Sequence, residues 1–151
     1  MRHTFSLLIF GFVFLSCQSQ KITNQEQTLN IKMVIDSILT KDSGLNTNEY
    51  WIDFSKTNYF DKQAINDFIK SNANFAQINS DSLLKNDSTW IQYGFLQKML
   101  ISFKKVELKG DSLIIDLEKI KAKDGSNGIQ IIIKKENNQY KVVSLKMTWI
   151  S

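Results

Sequence analysis

Histidine and cysteine are nearly missing from this chain of 151 residues, since His3 and Cys17 are the only ones. His3 lies in an apolar N-terminal leader that we expect to be removed. A mature chain without imidazole excludes Ser-His-Asp and Cys-His nucleophilic arrangements, and it excludes zinc sites built on histidine or cysteine. A single cysteine also excludes a disulfide within the chain. Carboxylate, lysine and tyrosine chemistry remains, and we predict no cofactor and no metal site.

Arginine is missing after Arg2, so the basic side chains of the rest of the chain are all lysines. The formal net charge is only +4. Arginine supplies the planar fork that binds phosphate or guanine through two hydrogen bonds. We therefore predict that the protein does not bind nucleic acid.

The N-terminus has the pattern of an export signal. Arg2 gives it a basic start, Phe5 to Leu15 form an apolar run, and Ser16-Cys17 closes it. The run is shorter than the about 20 residues that a membrane-spanning helix needs, and its length is typical of a secretory signal. We predict a signal peptide over residues 1–16, a lipidated N-terminus and tether over 17–24, and one domain over 25–151.

The segment Phe14-Leu15-Ser16-Cys17 resembles the lipobox of bacterial lipoproteins, although leucine is usual where Phe14 stands. The resemblance implies that Cys17 becomes the first residue and carries acyl chains. Two or three chains hold a protein firmly on a membrane, whereas one chain binds only marginally. The expected location is the cell envelope, with the domain facing the periplasm or the cell surface. The alternative is an ordinary cleaved signal peptide with an incidental Cys17.

The last third of the chain predicts four antiparallel strands. Apolar residues alternate with polar ones, as half-buried strands require, and short clusters of Gly, Asn and Asp separate the strands. The side chains predicted to face the core are Leu113, Ile115, Leu117, Ile129, Ile131, Ile133, Val143, Leu145, Met147 and Trp149. The alternation breaks at Lys104-Lys105, which indicates a β-bulge or a helix that ends near Phe103.

The preceding residues predict helices. Thr23 and Glu26 have the spacing of a capping box, and an apolar stripe that includes Leu29 follows them. Phe60 to Ile69 has the clearest helical spacing, Trp90 to Leu100 suggests a third helix, and Glu49 to Phe54 could be a strand or a buried turn. The predicted fold class is α+β, with helices on one face of a four-stranded antiparallel sheet that is cone-like or open.

Two groups of residues could carry a binding or catalytic function. Asp116 and Glu118 share one strand face, but a solvated strand face is the simpler interpretation than a paired-carboxylate site. The aromatic residues that could line a ligand pocket are Tyr50, Trp51, Phe54 and Tyr59, and the alternative is that they belong to the core. Asp124 to Gly128 predicts a turn rather than a calcium loop, because Lys135 stands where the loop needs a glutamate.

Three serines resemble acceptors of some bacterial O-glycosylation systems, because each follows an aspartate and precedes an apolar residue or threonine. They are Ser82, Ser88 and Ser112. Ser37 has the same context but lies in a predicted helix. The alternative is that these Asp-Ser pairs form ordinary turns and helix caps.

The segments Ile101–Phe103, Asn138–Val143 and Thr148–Ser151 resemble small bacterial secreted proteins and lipoproteins whose β-meander stops at a Trp-x-Ser end. Asp124–Gly128 replaces the cysteine- and glycine-rich turn that many of them carry. Helices followed by a curled antiparallel sheet are also similar to nuclear-transport-factor-2-like folds. We expect a lipid-anchored envelope protein that binds a protein partner or a small ligand without catalysis. The alternatives are a small pocket enzyme that uses Asp, Glu or Tyr, and an immunity or inhibitor protein.

Overall fold

The computed structural model describes residues 22–41, 49–85, 98–122 and 125–150. Cys17 and the leader lie outside the described residues, as do Ser88 and most of the predicted third helix.

Three helices and six strands form the described fold. In chain order they are α1 (Asn24–Lys41), β1 (Glu49–Asp53), α2 (Lys62–Ser71), β2 (Phe75–Gln77), α3 (Ser80–Lys85), β3 (Lys98–Lys109), β4 (Ser112–Ala122), β5 (Gly125–Glu136) and β6 (Gln139–Ile150).

The strands form one mixed sheet with the order β2-β1-β3-β4-β5-β6. The α+β class is confirmed, and β3 to β6 pair antiparallel. The sheet is nevertheless larger than the predicted four strands, because β1 pairs parallel with both β2 and β3. Helix α2 supplies the crossover that the parallel pair β1 and β2 requires.

The turns of the meander follow from residues that tolerate a positive φ. Gly110 has φ 58° between β3 and β4, and Asn137 and Asn138 have φ 50° and 60° between β5 and β6. Both are hairpin positions that the sequence predicts. The predicted turn over Asp124 to Gly128 is wrong for most of its length, because β5 begins at Gly125 and pairs with β4 from there.

The predicted β-bulge near Lys104 is confirmed, because the register with β4 shifts between Phe103 and Lys105. The alternative of a helix ending near Phe103 is wrong, since β3 begins at Lys98. Met99 and Ile101 enter the main core while Leu100 is buried on the opposite face. A strand buried on both faces has a continuous apolar run, which cannot be told from a buried helix by periodicity alone.

The main core lies between one face of the sheet and helices α1 and α2. Its largest fully buried side chains are Phe68, Phe103, Ile31, Ile35, Ile52, Met99, Ile101, Leu113, Ile115, Ile131 and Ile133. The predicted helix over Phe60 to Ile69 corresponds to α2, which buries Ala64, Ile65 and Phe68. Leu29 of the predicted α1 stripe is instead 48% exposed.

The predicted burial of β6 is wrong at three positions. Val143, Met147 and Trp149 are 52%, 56% and 46% exposed. Register shifts opposite Ile132/Ile133 and Gly128/Ile129 insert Val143 and Thr148 as extra residues in β6. Each bulge shifts the alternation, and β6 is also an edge strand with one neighbour.

The capping box at the start of α1 is confirmed. Glu26 N donates to Thr23 Oγ1 at 3.2 Å, and Thr23 N donates to Glu26 Oε2 at 3.0 Å.

We expect Thr23→Ala to lower the free energy of unfolding by about 1 kcal/mol, because the orphan amide at the helix start loses its acceptor. Urea titration measures the change. Thr40→Ala, at an exposed position in the last turns of α1, is the control, and equal losses in both variants would contradict a capping role.

Candidate functional site

A groove lies beyond the carboxyl ends of the parallel strands β1 and β2. Its volume is ≈ 770 Å³. The segments that follow Asp53 and Gln77 form its two sides. In sheets with parallel strands, ligands bind in crevices outside these ends. This groove is therefore the candidate binding site.

The carboxylate of Asp53 lies at the base of the groove and is fully buried. Its Oδ1 accepts a hydrogen bond from Ser55 N at 2.8 Å. Its Oδ2 accepts from Ser80 N at 3.1 Å, from Ser102 Oγ at 3.3 Å and from the Ser80 hydroxyl. Four donors thus surround one carboxylate, which is how a buried charge becomes tolerable.

Asp53 is held in its ionised form. Burial raises the pKa of this carboxyl, but the hydrogen bonds from Ser80 and Ser55 outweigh burial and lower the pKa below its ordinary value. A general acid at neutral pH needs a raised pKa instead. An ionised Asp53 is therefore unsuited to act as a general acid near neutral pH, and its hydrogen bonds hold the neighbouring serines in place.

The bonds to Asp53 join the two sides of the groove. Ser55 follows β1, Ser80 begins α3, and Ser102 lies in β3. Ile78 N also donates to Ile52 O at 2.9 Å, and Lys56 forms an ion pair with Asp81 across the same gap. The groove is preformed as a result, so a ligand would not have to order its walls.

The polar lining of the groove includes groups that are free to bind. Asn58, Lys62 and Gln77 are exposed there, and within the described residues their side chains make no hydrogen bond or ion pair. Two amides and one ammonium group offer hydrogen-bond donors and amide acceptors. Phe54 and Phe60, only 3% and 5% exposed, form an apolar floor beneath them. The arrangement suits a small polar ligand.

The four aromatic residues of the predicted pocket do not line one common cavity in the described structure. Tyr50 stacks on Phe75, with ring centroids 4.9 Å apart, in the main core. Trp51 lies on the opposite face of the sheet in a small cluster with Leu100 and Ile120. Phe54 borders the groove but is stacked on a core phenylalanine. A ligand-lining role stays a prediction, and Phe54 is the residue closest to fulfilling it.

Tyr59, the fourth of these residues, carries a buried hydroxyl without a hydrogen-bond partner in the described structure. Burial, the nearby Tyr140 and the charge of Glu26 raise the pKa of Tyr59 to about 12. A buried hydroxyl that loses water without gaining a partner costs about 1–3 kcal/mol.

We expect Tyr59→Phe to raise the free energy of unfolding by about 1 kcal/mol, because it removes this unpaired hydroxyl. Because the pKa of Tyr59 is raised to about 12 in the folded state, its ionisation does not affect stability below the unfolded pKa of about 10 and lowers stability as pH rises from there toward 12. The advantage of Tyr59→Phe should therefore grow above pH 10. Urea titrations at neutral pH and above pH 10 measure both effects. A fall in stability at neutral pH would instead show that the hydroxyl of Tyr59 has a hydrogen-bond partner.

Asp116 and Glu118 both have partners in the sheet. Asp116 Oδ1 accepts from Gln130 Nε2 at 2.9 Å, and Glu118 Oε2 lies 2.6 Å from Lys104 Nζ. Both are half-buried on the strand face away from the main core. This fits a polar strand face. The fully buried carboxylate is that of Asp53, a residue that the sequence analysis missed. Its one signal in the sequence is a position between the apolar residues Ile52 and Phe54.

The predicted glycosylation sites differ in accessibility. Ser82 is exposed and lies in α3 rather than in a loop, whereas Ser112 is half-buried at the start of β4. Ser88 lies outside the described residues. Glycosylation stays a prediction, which the intact mass of protein from its native host would check.

Neither a metal-binding cluster of side chains nor a helix able to span a membrane is present in the described part of the chain. No cluster of three or more His, Cys, Asp or Glu side chains there could hold a metal ion. No helix there combines the length and apolarity needed to span a membrane.

Known proteins give no further guide to this groove. No family model, no curated protein and no solved structure matches the chain. The likeness to secreted lipoproteins and to nuclear-transport-factor-2-like folds therefore stays a prediction from the sequence.

Proposed function

We propose that this protein is a lipid-anchored component of the cell envelope that binds a small polar ligand in the groove beyond β1 and β2. The observation that carries the binding proposal is the preformed groove, whose sides are joined through Asp53 and whose free polar groups are Asn58, Lys62 and Gln77.

The sequence supports the anchoring half of the proposal. The apolar run from Phe5 to Leu15 ends just before Cys17, and acylation of that cysteine would attach the domain to the membrane. Helix α1 begins at Asn24, after a short polar segment. The order of signal, cysteine, tether and folded domain is the one a lipoprotein needs.

Binding is better supported than acid-base catalysis. The buried carboxylate at the groove has a lowered pKa and four donors around it. Asn58 and Gln77 have no acid-base function near neutral pH. Their amides can recognise hydroxyl, carbonyl or carboxylate groups of a ligand, and the ammonium group of Lys62 can form an ion pair with an acidic group of a ligand.

A ligand screen tests the groove. Purified mature protein would be heated with panels of sugars, amino acids and small carboxylates, and the melting temperature recorded for each compound. We expect at least one class to raise the melting temperature, because a ligand that binds the native state stabilises it by mass action. Asn58→Ala and Gln77→Ala should lose that shift, whereas Asn66→Ala, an exposed amide of α2 outside the groove, should keep it. An unchanged shift in the groove variants would refute this binding site.

A processing experiment tests the anchor independently. Cells that express the full chain would be treated with globomycin, which blocks the lipoprotein signal peptidase. We expect a precursor to accumulate, and we expect Cys17→Ser to abolish membrane attachment. Mature protein that forms normally under globomycin and stays in the soluble fraction would refute the lipoprotein assignment while leaving the groove untouched.

A further inference from the structure

The edge strand β6 exposes a set of apolar side chains that the described fold does not cover. Val143, Met147 and Trp149 are all about half exposed, at 52%, 56% and 46%. Leu29 and Leu108 are the other large apolar side chains exposed to this extent in the described ranges. We call Val143, Met147 and Trp149 the β6 margin. Large apolar side chains exposed along one edge of a sheet are candidates for an interaction site.

The β6 margin is accessible from both sides of the sheet. Met147 pairs with Ile129, whose side chain enters the main core. Trp149 pairs with Gly128, and its indole occupies the space beside this glycine, where an added Cβ would collide with Nε1. Consecutive residues of β5 point to opposite faces. An object that approaches the edge of the sheet would therefore meet Met147 on one side and Trp149 on the other.

The backbone of β6 is poorly suited to pair with another strand. Bulges at Val143 and Thr148 interrupt its register twice within twelve residues. Lys141 and Lys146 are exposed along it. Bulges and lysines are the means by which edge strands avoid pairing with other chains. The occupant of the β6 margin should therefore not depend on a regular hydrogen-bonded ladder.

The charge of β6 favours an anionic surface. The strand contains two lysines and no acidic residue. In the described structure, Lys141 and Lys146 form no ion pair. Lysine and tryptophan together are typical of proteins that lie at a membrane interface, where the ammonium groups meet lipid phosphates and the indole lies at the headgroup level.

The attachment point of the tether lies beside the start of β6. Lys135 Nζ lies 2.7 Å from Glu26 Oε1 and 5.1 Å from the ring centroid of Tyr140. Glu26 in turn accepts a hydrogen bond from the backbone N–H of Thr23, the residue before α1. The chain from Cys17 to Thr23 reaches at most about 20 Å when fully extended. An acylated Cys17 would thus keep Thr23 within that distance of the bilayer, on the side of the domain where β6 begins.

We propose that the β6 margin rests on the anionic lipid surface to which the protein is anchored. Val143, Met147 and Trp149 enter the boundary between headgroups and acyl chains, and Lys141 and Lys146 lie among the phosphates. Water and headgroups satisfy the outer backbone groups of β6 there. The inference rests on the proposed lipid anchor. It states that the β6 edge of the sheet faces the membrane, so the groove at β1 and β2 lies at the other end of the sheet.

Site-directed spin labelling tests this orientation. Acylation of Cys17 leaves the mature chain without a free thiol, so Met147→Cys gives a unique labelling site. The acylated full chain would be reconstituted into vesicles of phosphatidylethanolamine and phosphatidylglycerol. The introduced cysteine would then be labelled with a nitroxide. Leu108→Cys is the matched control, because Leu108 is 50% exposed on β3, three strands away from β6. We expect accessibility to a water-soluble nickel chelate to be several-fold lower at position 147 than at position 108.

Three other outcomes of this experiment would overturn the proposed orientation. Equal accessibility to nickel at the two positions would overturn the orientation while the anchor stands, because flotation with the vesicles measures attachment separately. Dipolar broadening between labels at position 147 would show a second copy of the chain rather than lipid at the β6 margin, and it would also overturn the proposal. Protein that does not float with the vesicles would overturn the anchor and the orientation together.

Discussion

Replacement of Asp53 by alanine is expected to lower the free energy of unfolding by about 3–5 kcal/mol. The carboxylate accepts hydrogen bonds from Ser55 N, from Ser80 N, from Ser102 Oγ and from the Ser80 hydroxyl. Ser80 and Ser102 are fully buried. Their donors would lose an acceptor where water has little access, and each buried donor without a partner costs about 1–3 kcal/mol.

Urea titration of Asp53→Ala measures this loss. Asp61→Asn is the matched control, since Asp61 borders the same groove but its carboxylate forms no cap hydrogen bond with α2. We expect the control to change stability by less than about 0.5 kcal/mol. A loss in Asp53→Ala no larger than in the control would show that Asp53 does not hold the groove together.

The same carboxylate predicts how stability depends on pH. Its pKa is lower in the folded state than the ordinary value of 3.8. The stabilisation it gives is therefore complete above the unfolded pKa and is lost as pH falls through the folded pKa. We expect the free energy of unfolding, measured against pH, to differ between the native chain and Asp53→Asn near neutral pH and to converge at pH values below 3.8. Curves that stay parallel through this range would contradict a depressed pKa.

The parts of the fold that were predictable from sequence depend on local residues. Gly110 and Asn137-Asn138 determine their hairpins through their own φ angles, and Thr23 with Glu26 forms the start of α1 over a spacing of three residues. The antiparallel meander follows, because such short turns place consecutive strands side by side.

The parts that were not predictable depend on distant residues. Strand β2 has only three residues and is recognised by its pairing with β1. Asp53 depends on serines 27 and 49 positions further along the chain. The exposed face of β6 results from bulges against β5, which alternation within β6 does not reveal. The groove combines β1, α2 and β2, so it could not be predicted before the parallel pairing was known.

Replacement of Asn30 by leucine is expected to raise the free energy of unfolding by about 1–2 kcal/mol. Asn30 lies in α1 and is fully buried. Both polar atoms of its amide lack a hydrogen-bond partner in the part of the chain that the structure describes. Leucine has the same branching at Cγ and a higher helix propensity, so it would remove the unpaired groups while it fills the same space.

Thermal and urea unfolding of Asn30→Leu would measure the gain, with Asn66→Leu at an exposed position of α2 as the control for helix propensity alone. A larger gain at position 30 than at position 66 identifies the buried amide as the source. Asn30→Ala distinguishes loss of the amide from overpacking by leucine, since alanine removes the amide without adding volume. If both position 30 variants lose stability while the control does not, the amide of Asn30 binds an internal water or another group of this protein, and this buried amide stabilises the contact of α1 with the core.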